Sequence, residues 1–272
     1  MPGIVSPHWC IVMLEIRDRH LGRSHALSLP AIAAGSLEVA VARSAEEIEA
    51  LQRLRYSVFS EEMKAVFPDS AVGIDADAYD AWCEHLMVRE QATGRIVGTY
   101  RLLTPVNAAR LGGYYSESEF DLSGLGARRS LVIELGRSCI HPDYRNGAVI
   151  MLLWAGIAGV VKHLKLRYVI GCASVSLRDG GATAAHVWNE ARGGMAKASD
   201  LPVLRPHHPY PVNRLDADLP ARTPPLIKGY IKAGARICGE PAWDPDFNTA
   251  DFPVFLDVED MDRRYRRHFG MP

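Results

Sequence analysis

The sequence predicts an α/β fold in which a mixed, mostly antiparallel central sheet is flanked by helices. Three stretches carry that reading. Residues 37–59 pass from strand-like alternation to helical periodicity, residues 85–103 form two apolar strands about a short turn, and residues 131–173 run apolar strand, apolar helix, apolar strand. Strand–helix, hairpin and β-α-β units in succession, with no internal repeat and no low-complexity linker, suit one sheet.

Residues 1–35 lack sustained periodicity and read as a poorly ordered leader, with Met13 an alternative start. Leu37-Glu38-Val39-Ala40-Val41 alternates as a half-buried strand. Ser44 then caps a helix and Glu47, three residues on, completes a capping box. Ile48, Leu51, Leu54, Val58 and Phe59 fall on one face of that helix. An acidic loop holding Asp69, Asp75, Asp77, Asp80 and Glu84 feeds a strand at 85–89, which turns at Ala92-Thr93-Gly94 into a strand at 96–103. Residues 104–130 read as irregular, and 131–135 as a short strand broken at His141-Pro142. A nearly all-apolar helix is expected over 144–164, its Gly156 and Gly159 letting the backbone approach the sheet. A strand at 168–173, helices at 182–190 and 226–238, a Pro/His-rich loop at 205–211, a strand at 254–258 and a basic tail at 263–267 complete the chain. The core is assigned to 36–175 and a C-terminal extension, packed on the same domain, to 176–272.

Composition excludes several classes. With 31 Lys+Arg, 32 Asp+Glu and a net charge of −1, no whole-chain positive charge is available to hold nucleic acid. Cys10, Cys83, Cys139, Cys172 and Cys238 are odd in number and form no C-x-x-C pair, against a disulfide framework or structural zinc and in favour of reduced, cytoplasmic thiols. The N-terminus lacks the basic region and long apolar run of a secretory signal. The longest uncharged apolar run, 148–161, falls short of the roughly 20 residues of a membrane span.

The chemistry lies in a set of spaced residues: Leu54-Arg55-Tyr56-Ser57-Val58-Phe59; Asp77-Ala78-Tyr79-Asp80 with His85-Leu86-Met87-Val88; Gly98-Thr99-Tyr100-Arg101-Leu102-Leu103; and Glu134-Leu135-Gly136-Arg137 with His141-Pro142-Asp143-Tyr144-Arg145. In order and spacing this set resembles the acyl-homoserine-lactone synthases and N-acyl amino acid synthases, branches of the GNAT acyltransferase superfamily. The tail, with Pro224-Pro225-Leu226-Ile227-Lys228-Gly229-Tyr230 and the run from Pro241 through Trp243-Asp244-Pro245-Asp246-Phe247 to Asp251, resembles the L-ornithine N-acyltransferases of bacterial ornithine-lipid synthesis. The resemblance implies a GNAT-like fold and transfer of a 3-hydroxylated fatty acyl group from acyl carrier protein to the α-amine of ornithine, giving a lyso-ornithine lipid. Another amino acid acceptor (glycine, lysine or glutamine) and a catalytically silent carrier-binding protein are the alternatives.

Such a reaction needs an amine stripped of its proton, because an ammonium has no lone pair. A placed carboxylate serves as base. Glu134 is the candidate, its alternative role being a structural ion pair with Arg101 or Arg137. In the lactone synthases the positions matching Arg55, Arg101 and Arg137 organise the cleft together with two aspartates; Arg137 is accordingly assigned to catalysis, and Arg55, Phe59, Asp77, Asp80 and Arg101 to substrate binding. The aspartates would hold ammonium groups and an arginine would grip the substrate carboxylate; a solvated acidic loop is the alternative.

No cofactor or metal is expected. The helix start Arg145-Asn146-Gly147-Ala148-Val149-Ile150 departs from the Q/R-x-x-G-x-G/A pyrophosphate loop of coenzyme A users, which favours a carrier-bound phosphopantetheine arm added beside the strand after Glu134. Arg145, Lys162 and Lys165 are assigned to the acidic carrier, their alternative being a solvated helix end. Arg263, Arg264, Arg266 and Arg267 either form a solvated tail or touch anionic lipid peripherally at the inner membrane face. His207-His208 lacks zinc spacing, His141 shapes a turn, and Cys139 is a small buried residue. Asp244, Asp246 and Asp251 either cap turns or line the amine pocket.

Overall fold

The computed structural model describes residues 27–60, 73–195, 200–215 and 221–271. Of the expected leader, residues 1–26 with Met13 lie outside this set. The rest is built into the fold: Leu27 is buried in the core, and β1 (Ile32–Ala34) pairs with β2 (Leu37–Val41), so the ordered unit begins before residue 36. β2 shows the alternating burial its sequence predicts.

The helix α1 (Ala45–Val58) starts as its sequence requires. Ser44 Oγ accepts from the Glu47 amide at 3.2 Å, and the Glu47 carboxylate accepts from the Ser44 amide at 3.2 Å. Strands β3 (Glu84–Glu90) and β4 (Ile96–Leu103) form the predicted antiparallel hairpin. The stretch 104–130 is more regular than expected. Thr104 caps α2 (Pro105–Leu111), with proline at the first helical position, and 3₁₀ turns flank the short β5 (Phe120–Asp121).

Strand β6 (Val132–Ile140) runs well past the predicted end at 135. The helix α3 (Ala148–His163) begins later than 144, because His141 caps a separate 3₁₀ turn at 142–144 and Gly147 takes φ +95° before the helix starts. Gly156 meets the sheet closely, since a Cβ there would lie 3.1 Å from Leu86 and Val39, whereas Gly159 faces only Leu29 at 3.9 Å. β7 (Tyr168–Ser176), α4 (Ala182–Met195) and β8 (Arg205–Pro206) follow. The helix expected over 226–238 is α5 (Pro225–Ala233); Gly234 ends it, and the rest becomes β9 (Arg236–Ile237). β10 (Ala242–Asp244), a longer β11 (Thr249–Asp257) and a short basic helix α6 (Arg263–His268) close the chain.

The main sheet has the order β1-β2-β3-β4-β6-β7-β11-β10, with β9 on β11. Its neighbours are antiparallel throughout except β6 and β7. One face packs on α3 through Val39, Leu86, Tyr100, Leu102 and Ile133. On the other, α1 packs on β4 and β6, with Leu54, Val58 and Phe59 around Cys139. Strand alternation therefore aims Arg101 and Glu134, whose neighbours enter the α3 core, at the opposite face. No helix among the described residues is long and apolar enough to cross a membrane.

Candidate active site

The site is an opening in the sheet. β6 and β7 pair in parallel for three residues, Val132 with Tyr168 to Glu134 with Ile170, and then diverge: β6 continues on β4 and β7 continues on β11. Two local features mark the divergence. Thr99 pairs with Cys139 but Arg101 pairs with Gly136, so β6 carries one extra residue there; this bulge bends the strand, and Arg137 within it has φ +51°. Where the strands are still close, a Cβ on Gly171 would stand 2.5 Å from the Leu135 carbonyl oxygen. A cavity of about 310 Å³ fills the gap. Gly136–Ser138 and Cys172–Ser174 line its two edges, and Trp154, Ile157 and Val161 of α3 extend it as an apolar channel towards Phe269 and Met271.

Above the β6 side sits a buried ion network. Arg55 Nη2 meets Asp80 at 2.7 Å and its Nε meets Asp75 at 2.9 Å; Arg101 Nη1 meets Asp77 at 2.6 Å and Asp80 at 3.0 Å; Arg137 reaches Asp77 at 3.3 Å and Asp75 at 3.4 Å. Gln52 donates to Asp80 at 3.0 Å. Burial alone would raise the pKa of Asp80, but Arg55 and Arg101 outweigh it and hold the carboxyl well below the usual range. His85, on the Asp80 carbonyl, is pushed down to about 4 chiefly by burial and is neutral.

This geometry revises two expectations. The acidic loop is no solvated loop where it is described, since Asp75 and Asp80 are fully enclosed by arginines. Nor is Asp80 free to hold a substrate ammonium: its side chain is 0% exposed and both oxygens are taken by Arg55, Arg101 and Gln52. Asp77, 25% exposed but bound by two arginines, is the network's rim. Phe59 lies at the cavity edge, its ring 5.9 Å edge-on from Phe247.

Glu134 is buried and lines the cavity. It forms neither of the ion pairs weighed for it; it accepts from the Tyr115 and Ser116 amides at 2.7 Å each and from Ser116 Oγ at 2.6 Å. Burial raises its pKa against the opposing pull of these donors. A carboxylate has about four lone-pair sites, so three donors leave one for an amine or a water.

Comparison with known proteins decides the family. The acetyltransferase (GNAT) domain model matches residues 54–155. An L-ornithine N(alpha)-acyltransferase of Agrobacterium fabrum is 40% identical over 257 residues, covering 87% of this chain and 86% of that one. Another, of Rhizobium meliloti, is 37% identical over 264 residues, covering 86% and 84%. This chain belongs to the L-ornithine N(alpha)-acyltransferase family. The solved structure of the acyl-homoserine-lactone synthase LasI superposes with a TM-score of 0.51 at 13% identity, covering 86% of this chain and 95% of that one, and shares the fold.

The residues assigned to the carrier are not brought together in this acyltransferase. Arg145 precedes α3, at the end where β6 and β7 have parted. Lys162 and Lys165 lie at the far end of a 16-residue helix, about 24 Å away. Lys162 there holds the Gly270 carbonyl. They do not form one docking patch with Arg145.

Sequence reasoning named Asp251 and Asp244 but missed Glu119 and the second acidic cluster it completes. Glu119, Asp251 and Cys172 bring their carboxylate oxygens and thiol within 4.8 Å of one another, and Asp251, Asp244 and Cys172 line the cavity. Asp244 also caps its turn, accepting from the Asp246 and Phe247 amides. Burial first, then Asp251 and Asp244, pushes Glu119 up to about 9; burial pushes Asp251 up to about 6, against its bond from Thr249. By donor type these three residues are also the place where a divalent ion would sit.

Proposed function

We propose that the protein transfers a fatty acyl group, 3-hydroxylated in its preferred form, from acyl carrier protein to the α-amine of L-ornithine, giving a lyso-ornithine lipid. The observation that carries this reading is the parting of β6 and β7 into a cavity with a buried carboxylate on one side and an apolar channel on the other. Such an opening accepts an extended thioester arm on exposed strand edges, an acyl chain along α3 and an amine beside Glu134. The named relatives supply the acceptor.

The amine attacks the thioester carbonyl directly within a ternary complex. Its nitrogen forms the new C–N bond, Glu134 takes its proton, directly or through one water, the C–S bond breaks, and that proton passes to the leaving thiolate to give the free carrier thiol. Arg137 sits in the bulge beside the reacting carbonyl, where it positions the backbone donors needed by the oxyanion. Arg55 and Arg101 hold the loop that forms the rim, and Phe59 walls it. The donor reading rests on the helix start: Asn146 Oδ1 already accepts from the Ala148 amide, and there is no second glycine to cradle a pyrophosphate. The carrier docks at the parted ends of the strands, near Arg145. The arginines of α6 lie next to the apolar end of the channel and contact anionic lipid as the product leaves.

Purified protein, acyl-carrier thioester and a panel of amino acids, with mass detection, test the function. The α-amide of ornithine is expected as the dominant product. Dominant acylation of glycine, lysine or glutamine moves the acceptor, and no amide with any amino acid overturns the reading.

A further inference from the structure

The two acidic clusters around the cavity differ in what neutralises them. Every aspartate of the first is paired with an arginine. In the second, no ion pair to Glu119, Asp244 or Asp251 occurs among the described residues. Both carboxylate oxygens of Glu119 are buried without a hydrogen-bond partner. Asp251 is 4% exposed, and only neutral donors serve it: Thr249 Oγ1 at 2.7 Å, with Ser174 and Glu119 beside it. A buried carboxylate left without a cation or donors is costly, and two held side by side are more so.

We propose that Glu119 and Asp251 form the subsite that reads the side-chain ammonium of the amino acid acceptor. This rests on the function proposed above and names the residues that set its specificity. Ser116 links the two halves of the site: its Oγ donates to Glu134 at 2.6 Å and lies 3.4 Å from Cys172 Sγ, which stands against the acid pair. An amino acid with its α-amine at Glu134 therefore extends its side chain past Ser116 and Cys172 to the carboxylates. Register supports the direction, because Asp251 pairs with Ser174 and Pro253 with Cys172, which puts Asp251, Ser174 and Cys172 on one face. The occupant is an ammonium, which donates to several acceptors at once and so meets both carboxylates together.

The test compares L-ornithine with L-2-aminohexanoate, its isostere with a methyl in place of the terminal ammonium, in the wild type, Glu119→Gln, Asp251→Asn and the double variant. Two readouts are taken: kcat/KM with acyl-carrier thioester, and calorimetric binding of each amino acid without donor. The wild type is expected to favour ornithine in both. Each single variant should weaken ornithine about tenfold to a hundredfold while changing the isostere less than about threefold. Equal losses for both amino acids, or a wild type that does not distinguish them, overturn the subsite. So does activity abolished by EDTA and restored by a divalent cation. Ornithine binding that depends on Glu119 without amide formation leaves the subsite standing and removes the acyl transfer.

Discussion

Two buried acidic clusters flank one cavity, and they are built on opposite principles. On the β6 side Asp75, Asp77 and Asp80 meet Arg55, Arg101 and Arg137, charge for charge. On the β11 side Glu119 and Asp251 meet each other and a thiol. The first cluster is complete without substrate and holds a loop, a helix and two strands in register. The second is incomplete, and its deficit of one cation matches what a cationic amino acid brings. Charge in a site is therefore not itself a sign of ligand binding; the unbalanced part is.

The contrast predicts opposite responses to similar substitutions. The largest effect lies between the clusters: Glu134→Gln should lower kcat about 10²–10⁴-fold with ornithine binding retained. Unchanged turnover would dismiss Glu134 as base. Next, Asp80→Asn or Arg55→Met should destabilise the fold by about 3–5 kcal/mol, because each leaves a buried partner uncompensated. Glu119→Gln, which removes the cost of holding a buried carboxyl protonated well above its ordinary range, should leave the melting temperature equal or higher at pH 8. Thermal unfolding of the set checks both signs, and a destabilised Glu119→Gln would erase the distinction. Third, Gly171→Ala should cost about 1–3 kcal/mol by forcing a Cβ onto the Leu135 carbonyl where the strands part.

A further effect is in pH. In the unfolded chain Glu119 and Asp251 ionise in the ordinary carboxylate range; in the native protein they keep their protons up to about 9 and about 6. Between those values folding takes up protons, so stability contributed at low pH is lost as pH rises. The ligand-free protein should melt progressively lower from about pH 6 towards about pH 9. Glu119→Gln should flatten the upper part of that slope, and the Asp80 cluster contributes in the opposite sense only at acid pH.

Much of this architecture was legible because its signals are local. Ser44 and Glu47 specify a helix start within one turn, and the 85–103 hairpin announces itself by two apolar runs about Thr93-Gly94. Thr104-Pro105 carries an equally local N-terminal signal, overlooked because the Gly, Ser and Tyr of the following turns dominate the composition of that stretch. The resemblance found Arg55, Asp77, Asp80, Arg101, Glu134 and Arg137 as a group, and the fold does gather the first four and Arg137 around one another, with Glu134 beside them. It did not show that the aspartates are already spent on arginines, since pairing between distant segments has no spacing rule. Glu119, and its meeting with Asp251, were hidden for the same reason: the two meet only when β11 pairs with β7 and the turn after Tyr115 folds over both. The chain end was read as a tail although Asp262 caps a short helix there.

The most direct test of the contrast is the proton balance of ornithine binding, measured by calorimetry near pH 7.5 in buffers of different ionisation enthalpy. A cation seated on Glu119 and Asp251 displaces a proton held there, so the wild type should release protons on binding, Glu119→Gln should release markedly fewer, and Asp77→Asn should behave as the wild type does. Proton release that is absent in the wild type, or that follows Asp77 instead of Glu119, would contradict the account.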